Sequence, residues 1–447
     1  MHFIPKQKKK VLFTTVPASS VSIVNQIPGR KIEINALNTV DDCILVANNE
    51  SFQSGKIQPA IGLHFLKENI PSIDMLEYPT WAEYENALAK RYDIIAIGFY
   101  TVNYYDAVAM VLMARGYGVK EVWAGNYGAL TPGVAGIFDR IITGCAEKEL
   151  KLAIEGELLK SIKHPILTTP FRMLSHEESA GFLITKRGCK YKCKFCSTSY
   201  FSTGVDTIAI EEIERLLDVY REMGVKYIII FDETFLQDRT HARKTIELLH
   251  KKNMKWFCTT RADLLTGHAL ELKRQGCDGV YIGIESMNNN NLVDQRKGEA
   301  INKVINTIEE LHGTGISVSG TYILGLPHDT RESIMEDLER LSRLPVFVLI
   351  FLVYTPYPEL PQYRTLQDNG FIINNDWRFY DGMNMVFRHP HMTTEQVREL
   401  FEYAVCNVYN PYNYNKRRVL QRMDRINRRT LIEAGASVRR ACERITQ

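Results

Sequence analysis

Long apolar runs are missing from this 447-residue chain. The longest, Val346 to Tyr354, has 9 residues, about half of the roughly 20 that a membrane-spanning helix requires. No membrane span is expected, and the run reads as a buried strand. A disulfide framework is missing too, since the nine cysteines are odd in number and six of them (Cys43, Cys145, Cys258, Cys277, Cys406 and Cys442) stand singly. Charge of one sign is scarce: 55 basic against 52 acidic residues leave a net +3, so the whole chain makes no electrostatic case for nucleic acid. Neither an internal repeat nor a low-complexity stretch divides the sequence. At the N-terminus Lys6, Lys8, Lys9 and Lys10 precede only a short apolar stretch before Pro17, with no small-residue cleavage site. Secretion is therefore not expected, and the cytoplasm is the expected location.

What remains is the composition of an enzyme-sized globular protein, 45% hydrophobic and 24% charged, with length for two or three domains. Periodicity divides it. The first 150 residues alternate short apolar runs (Val11 to Val16, Ile73 to Leu76, Ile94 to Phe99, Glu121 to Ala124, Ile141 to Thr143) with helical segments near Ile61 to Asn69, Trp81 to Arg91 and Tyr104 to Arg115. That rhythm predicts a doubly wound, Rossmann-like parallel α/β sheet over residues 1–160, with ligand-facing loops at its strand ends around Thr101 and Gly125-Asn126-Tyr127-Gly128. After a connection containing Pro165 and Pro170, six further strands are predicted: Phe182 to Thr185, Tyr227 to Phe231, Trp256 to Thr259, Gly279 to Ile284, Ser317 to Ile323 and Val346 to Val353. Helix-length segments separate them. Six β/α units over residues 175–365 follow, as a barrel or a flat sheet. Residues 366–447 read as loops followed by helices, with Thr393-Thr394-Glu395-Gln396 a helix start.

The other three cysteines carry the chemistry. Cys189, Cys193 and Cys196 stand in a C-x3-C-x2-C spacing in Gly188-Cys189-Lys190-Tyr191-Lys192-Cys193-Lys194-Phe195-Cys196, directly after a predicted strand. Three thiolates from one loop can hold three irons of a cubane cluster and leave the fourth iron open as a binding site. A zinc site lacking an evident fourth ligand, or a grouping of buried thiols, are the alternatives the spacing leaves.

The cysteine loop with Phe195 before its last cysteine, at the end of the first strand of a β/α series, resembles the signature of the radical S-adenosylmethionine superfamily. Further segments resemble it in order: Phe231-Asp232-Glu233 after the second strand, Arg261 after the third, Gly283-Ile284-Glu285-Ser286 at the end of the fourth, Gly320 to Pro327 closing the fifth, and Thr355-Pro356-Tyr357-Pro358 after the sixth. The branch resembled is the one in which a cobalamin-binding-type domain precedes a partial (β/α)6 barrel. The resemblance implies an enzyme with a 4Fe-4S cluster on the three cysteines and S-adenosylmethionine chelating its open iron, cleaved reductively to methionine and a 5′-deoxyadenosyl radical. It implies Asp232 or Glu233 for the cofactor's amino group and Glu285 and Ser286 for its ribose. Phe195 and the strand end Ile323-Leu324-Gly325-Leu326 would bed the adenine, and Arg261 is a further cofactor-binding candidate. A one-electron reductant such as flavodoxin or ferredoxin is the implied partner.

For the N-terminal domain the resemblance implies cobalamin at Thr101, Gly125, Tyr127 and Gly128. The Asp-x-His-x-x-Gly that gives cobalt a histidine in many cobalamin proteins is absent, and His64, on a helix with apolar neighbours, reads as a packed core residue. Two readings follow: cobalamin bound without a histidine on its lower face, which is preferred, or a vestigial domain that binds none. The expected reaction is methylation of an unactivated carbon of a peptide, protein or metabolite, against radical rearrangement, cyclisation or oxidation. A non-catalytic metal-binding interaction protein is the reading from another class. Between Tyr412 and Gln447 ten basic residues face three acids; Arg418, Arg422, Arg425 and Arg429 recur at helical spacing, as a solvated face or a docking surface for an acidic or phosphate-bearing partner. No recognition motif accompanies them, so nucleic acid is not expected.

Overall fold

The computed structural model describes residues 9–17, 59–173, 176–202 and 204–408; the basic segment from Tyr412 lies outside them. The N-terminal sheet has five parallel strands in the order β2-β1-β3-β4-β5: β1 (Val11–Thr15), β2 (Asp74–Leu76), β3 (Ile94–Gly98), β4 (Glu121–Gly125) and β5 (Arg140–Ile141). In the central strands β1, β3 and β4 the apolar residues are buried on both faces, as a helix-covered parallel sheet requires. Helices α1 (Ile61–Asn69), α2 (Trp81–Leu88), α3 (Tyr104–Gly116) and α4 (Glu147–Glu155) supply the cover. A capping box starts α2, in which Thr80 and Glu83 satisfy each other's backbone N–H groups.

The second sheet has seven strands in the order β14-β13-β12-β11-β10-β7-β6. Six are parallel: β7 (His176–Leu183), β10 (Tyr227–Ile230), β11 (Lys255–Thr260), β12 (Cys277–Glu285), β13 (Ser317–Leu324) and β14 (Val348–Val353). These are the six predicted strands, curled into a partial barrel. The seventh, β6 (Thr168–Met173), lies in the connection that the sequence reading left without a strand, and runs antiparallel to β7 at the edge. A small hairpin, β8 (Lys186–Arg187) with β9 (Asp206–Thr207), brackets the cysteine loop. The intervening helices are α5 (Thr198–Phe201), α6 (Ile210–Glu222), α7 (Arg239–Lys251), α8 (Ala269–Arg274), α9 (Asn289–Asp294), α10 (Ile301–Thr314) and α11 (Arg331–Arg343). Beyond β14 come α12 (Pro361–Asp368), a loop region with the bridge Ile372–Phe387, and α13 (Thr394–Tyr403), whose N-terminus is the expected capping box of Thr393 and Gln396.

Phe65 of α1 joins the buried cluster that fills the barrel. Its ring meets His164 edge-on at 4.8 Å, and the Arg187 guanidinium lies over it at 4.9 Å. Arg187 also pairs with Glu147 of α4 and Asp206 of β9, each at 2.5 Å. The two sheets are thus joined by an apolar plug and a nearly buried ion pair. Among the described residues no helix is long and apolar enough to cross a membrane.

Candidate active site

The cysteine loop leaves β8 through Gly188, whose φ of +95° is left-handed. A methyl group there would overlap the Gly204 carbonyl, so both the turn and the close approach demand glycine. The loop is held from three sides. Gln237 donates to the Gly188 carbonyl (2.9 Å) and accepts from Lys190 N (2.9 Å). Lys194 N donates to the Gln295 carbonyl (2.9 Å), and its ammonium pairs with Asp294 at 2.7 Å. Tyr191, between the first two cysteines, lies under the Arg261 guanidinium at 4.1 Å.

Cys193 is buried, and Cys189 and Cys196 are partly so. Burial pushes the Cys193 thiol up to about 11, against the pull of Lys297, and raises Cys196 as well. Among the described residues no three His, Cys, Asp or Glu side chains close on a single ion. A cubane asks something different, because each thiolate holds its own iron and the set stays wider than a one-metal cage. The residues fit such a group: three thiols on a glycine-turned loop, beside the cations Lys297 and Arg261.

The two acids after β10 part company. Asp232 is wholly buried and accepts from Thr185 N (2.7 Å) and Thr185 Oγ1 (2.5 Å), tying the end of β10 to that of β7. Burial raises its carboxyl to about 6, with the Thr185 bonds opposing. Asp232 thus has both carboxylate oxygens engaged by Thr185. Glu233 alternates to the other side, is solvent-accessible, and accepts from Gly188 N at 2.9 Å; its carboxyl is raised by the protein walls around it.

Glu285 has a left-handed φ of +65° at an irregularity between β12 and β13. Its carboxylate accepts from Thr321 Oγ1 (3.0 Å) and faces the Lys297 ammonium at 3.6 Å, in space that a side chain at Gly283 would fill. Glu299 pairs with both Lys297 (3.2 Å) and Arg261 (3.4 Å). Arg261 keeps one buried N–H without a partner. Ser286, by contrast, is fully buried, and its hydroxyl receives Asn288 N (3.1 Å) and Asn291 Nδ2 (3.4 Å). Those bonds engage Ser286 within the β12–α9 turn. Leu324 and Leu326 are buried in the barrel core, and Ile323 is nearly so, while Phe195 is partly exposed against it. Gly325 (φ +79°) lets Asp329 accept from Gly325 N and Leu326 N at 3.0 and 2.9 Å.

At the N-terminal sheet Gly125 ends β4. Gly128 is a glycine for another reason than close approach to a ligand: a methyl there would strike the Phe99 ring. Thr101 is buried and bonded to Thr131 at 3.0 Å. Tyr127 reaches across to the barrel, stacking on Phe201 of α5 at 4.4 Å and on Tyr100 at 6.1 Å, with its hydroxyl 3.4 Å from Thr198. His64 is not a core residue; it is half-buried and pairs with Glu77 at 3.2 Å. Sequence reading missed Tyr191, Gln237, Lys297 and Glu299, which carry no motif and are recognisable only once the loops are brought together.

Residues 183–341 match the Radical SAM superfamily. An uncharacterised methyltransferase of Pyrococcus horikoshii is 29% identical over 51% of this chain and 51% of its own length. The bacteriochlorophyllide d C-8(2)-methyltransferase of Chlorobaculum tepidum is 24% identical over 50% and 51%. The chain thus spans about half the length of these curated relatives. Among solved structures, the cobalamin-dependent S-adenosylmethionine radical enzyme OxsB, with aqua-cobalamin bound, superposes with a TM-score of 0.63 over 98% of this chain and 72% of its own, at 13% identity. The radical S-adenosylmethionine methyltransferase TsrM of Kitasatospora setae, with cobalamin and a [4Fe-4S] cluster bound, gives 0.58 over 88% and 84%, at 14% identity. The cysteine loop and partial barrel thus lie in the segment that matches the Radical SAM superfamily, and with the Rossmann-like sheet ahead of it this chain shares the fold of these cobalamin-dependent enzymes.

Proposed function

We propose that this protein is a cobalamin-dependent radical methyltransferase that places a methyl group on an unactivated carbon. The observation that carries the reading is the meeting of Tyr127, on the loop after β4, with α5 of the cysteine loop, which brings the C-terminal edges of the two sheets together. When bound, the cluster, S-adenosylmethionine and cobalamin supply reductive cleavage, hydrogen abstraction and a transferable methyl group. The chain's own part is to hold and orient. Cys189, Cys193 and Cys196 ligate; Glu233 accepts from the cofactor's ammonium; Glu285, held by Lys297 and Thr321, faces its ribose; Phe195 offers an apolar surface to adenine. Thr101, Gly125, Tyr127 and Gly128 shape the corrin-facing edge, and His64, engaged by Glu77, is not the cobalt's lower ligand. A one-electron donor such as flavodoxin or ferredoxin is the expected partner.

Ring formation is the second reading, favoured by one relative, the anaerobic magnesium-protoporphyrin IX monomethyl ester cyclase of Cereibacter sphaeroides, 24% identical over 52% of this chain. The experiment that separates them needs no substrate. The full chain is reconstituted anaerobically with iron, sulfide and hydroxocobalamin, then given methyl-labelled S-adenosylmethionine and reductant. Label recovered with the protein-bound corrin supports methyl transfer; 5′-deoxyadenosine formed while all label stays in methionine and uncleaved cofactor defeats it. The corrin spectrum should be base-off and indifferent to His64→Ala.

A further inference from the structure

The segment after β14 carries polar groups that the cofactor reading leaves unused. Glu359 lies in the connection from β14 to α12, and Gln362 follows within the first turn of that helix. One Glu359 carboxylate oxygen (Oε2) is buried without a hydrogen-bond partner, and so are both the oxygen and the nitrogen of the Gln362 amide. Glu359 is also bonded to Ser197, the residue after Cys196, so its carboxylate sits directly against the cysteine loop, and Gln362 follows it by three residues. Ser199, two residues on in α5, has a buried hydroxyl without a partner as well. Buried polar groups are ordinarily satisfied, and a buried carboxylate is ordinarily paired with a cation. Glu359 has neither a lysine nor an arginine among the groups acting on it, and burial alone raises its carboxyl. Asp381, an acid that acts with Glu359 on Tyr357, is different: it is saturated by Met383 N, Asn384 N and Asn384 Nδ2 within its own turn.

We propose that Glu359 and Gln362, beside Ser197 and Ser199, form the subsite that recognises the substrate, and that they take a cationic nitrogen group, an amine or a guanidinium. This rests on the reading of the barrel as a radical S-adenosylmethionine active site and adds the substrate's chemical class to it. The chemistry follows from the vacancies. Glu359 Oε2 supplies the countercharge, the Gln362 carbonyl accepts a second N–H, and the Gln362 amide N–H is left to donate to a carbonyl beside the cation. Charge-assisted bonds of this kind are the strong ones, and stronger in a site shielded from water. A wholly apolar substrate would leave every one of these groups unpaired, at the cost of burying them further. The position suits the role, since the subsite lies on the barrel's C-terminal side against the loop that holds the cluster.

Equilibrium binding to the reconstituted full chain, with S-adenosylmethionine present, tests the proposal. The probes are agmatine, N-acetyl-arginine methylamide, N-acetyl-lysine methylamide and the neutral N-acetyl-norleucine methylamide. At least one cationic probe should bind at least tenfold more tightly than the neutral one, with Glu359→Gln removing that preference and Gln362→Leu weakening it several-fold. A preference for agmatine identifies a free small molecule as the source of the cation, and one for the methylamides identifies a side chain within a peptide. Equal binding of cationic and neutral probes, or a preference that survives both substitutions, overturns the proposal, as does failure of every cationic probe to bind. Should Glu359→Gln fail to load its cluster, Gln362→Leu carries the same test. Cofactor cleavage and label transfer are measured separately, so a failed subsite and a failed methyltransferase reading give different results.

Discussion

One position along a strand end decides what a carboxylate can do. Side chains alternate across a strand, and Asp232 turns inward to Thr185 while Glu233 turns out towards Gly188 N. Replacing Glu233 by Gln should raise the S-adenosylmethionine concentration needed for reductive cleavage by roughly 10- to 150-fold, the equivalent of a lost charge-assisted bond of about 1.5–3 kcal/mol, with iron content unchanged. Asp232→Asn should act on stability instead. With its folded carboxyl near 6 and an ordinary value near 3.9 in the unfolded chain, Asp232 is protonated in both states below about pH 4. As pH rises the unfolded chain gives up its proton first, so stability falls until about pH 6, by about 3 kcal/mol in all. Urea midpoints of the apoprotein between pH 4 and 7 should show that slope in the wild type and its loss in Asp232→Asn. The sequence named both acids because strand-end position was legible in it; which of two adjacent carboxylates faces inward depends on where β10 stops, and that was not. The bonds of the Ser286 hydroxyl to Asn288 and Asn291 were illegible for a similar reason, because they form only once the β12–α9 turn closes.

Elements were most legible where burial leaves a period. The six parallel strands are apolar runs because helices cover the outer face of their sheet while packed side chains fill the barrel on the inner one, and α7 falls on Arg239–Lys251, the span its amphipathic pattern gives. β6 was illegible because Thr168–Met173 contains Pro170 and an alternation too short to stand out, tolerable only on a sheet edge. Glycines divide likewise into those demanded by turns and those demanded by neighbours. Gly188→Ala would force a side chain onto a φ of +95° and against the Gly204 carbonyl, a backbone contact that cannot swing aside. It should cost about 1–3 kcal/mol and lower the iron bound per chain. Gly283→Ala meets only the far ends of Glu285 and Lys297, which can move. Its effect should therefore appear as weakened S-adenosylmethionine binding with cluster absorbance retained; loss of the cluster itself would place Glu285 in support of the loop rather than of the cofactor.

At the scale of the whole molecule, two sheets of unrelated topology must present their C-terminal edges to one another, and separate kinds of contact arrange this. Phe65 plugs α1 into the barrel core, Tyr127 stacks on Phe201, and Arg187 bridges Glu147 and Asp206. The ion pair is the one whose loss is diagnostic, because Glu147 stands in the first turn of α4 on one side of the seam and Arg187 in β8 on the other. Breaking a buried pair from one side costs about 3–5 kcal/mol, since the remaining charge stays buried; Asp206 still holds Arg187 here, which brings Glu147→Gln below that range. The cost should fall on the seam rather than on either core. Calorimetry of Glu147→Gln should therefore show the N-terminal domain unfolding as a separate, earlier transition, while the barrel's transition and the iron content stay near their wild-type values. Corrin retention after gel filtration should drop in the same variant, because a ligand held between two edges is lost when the edges part. A single transition merely shifted downward, with corrin fully retained, would mean that Phe65 and Tyr127 fix the two sheets without help from the ion pair.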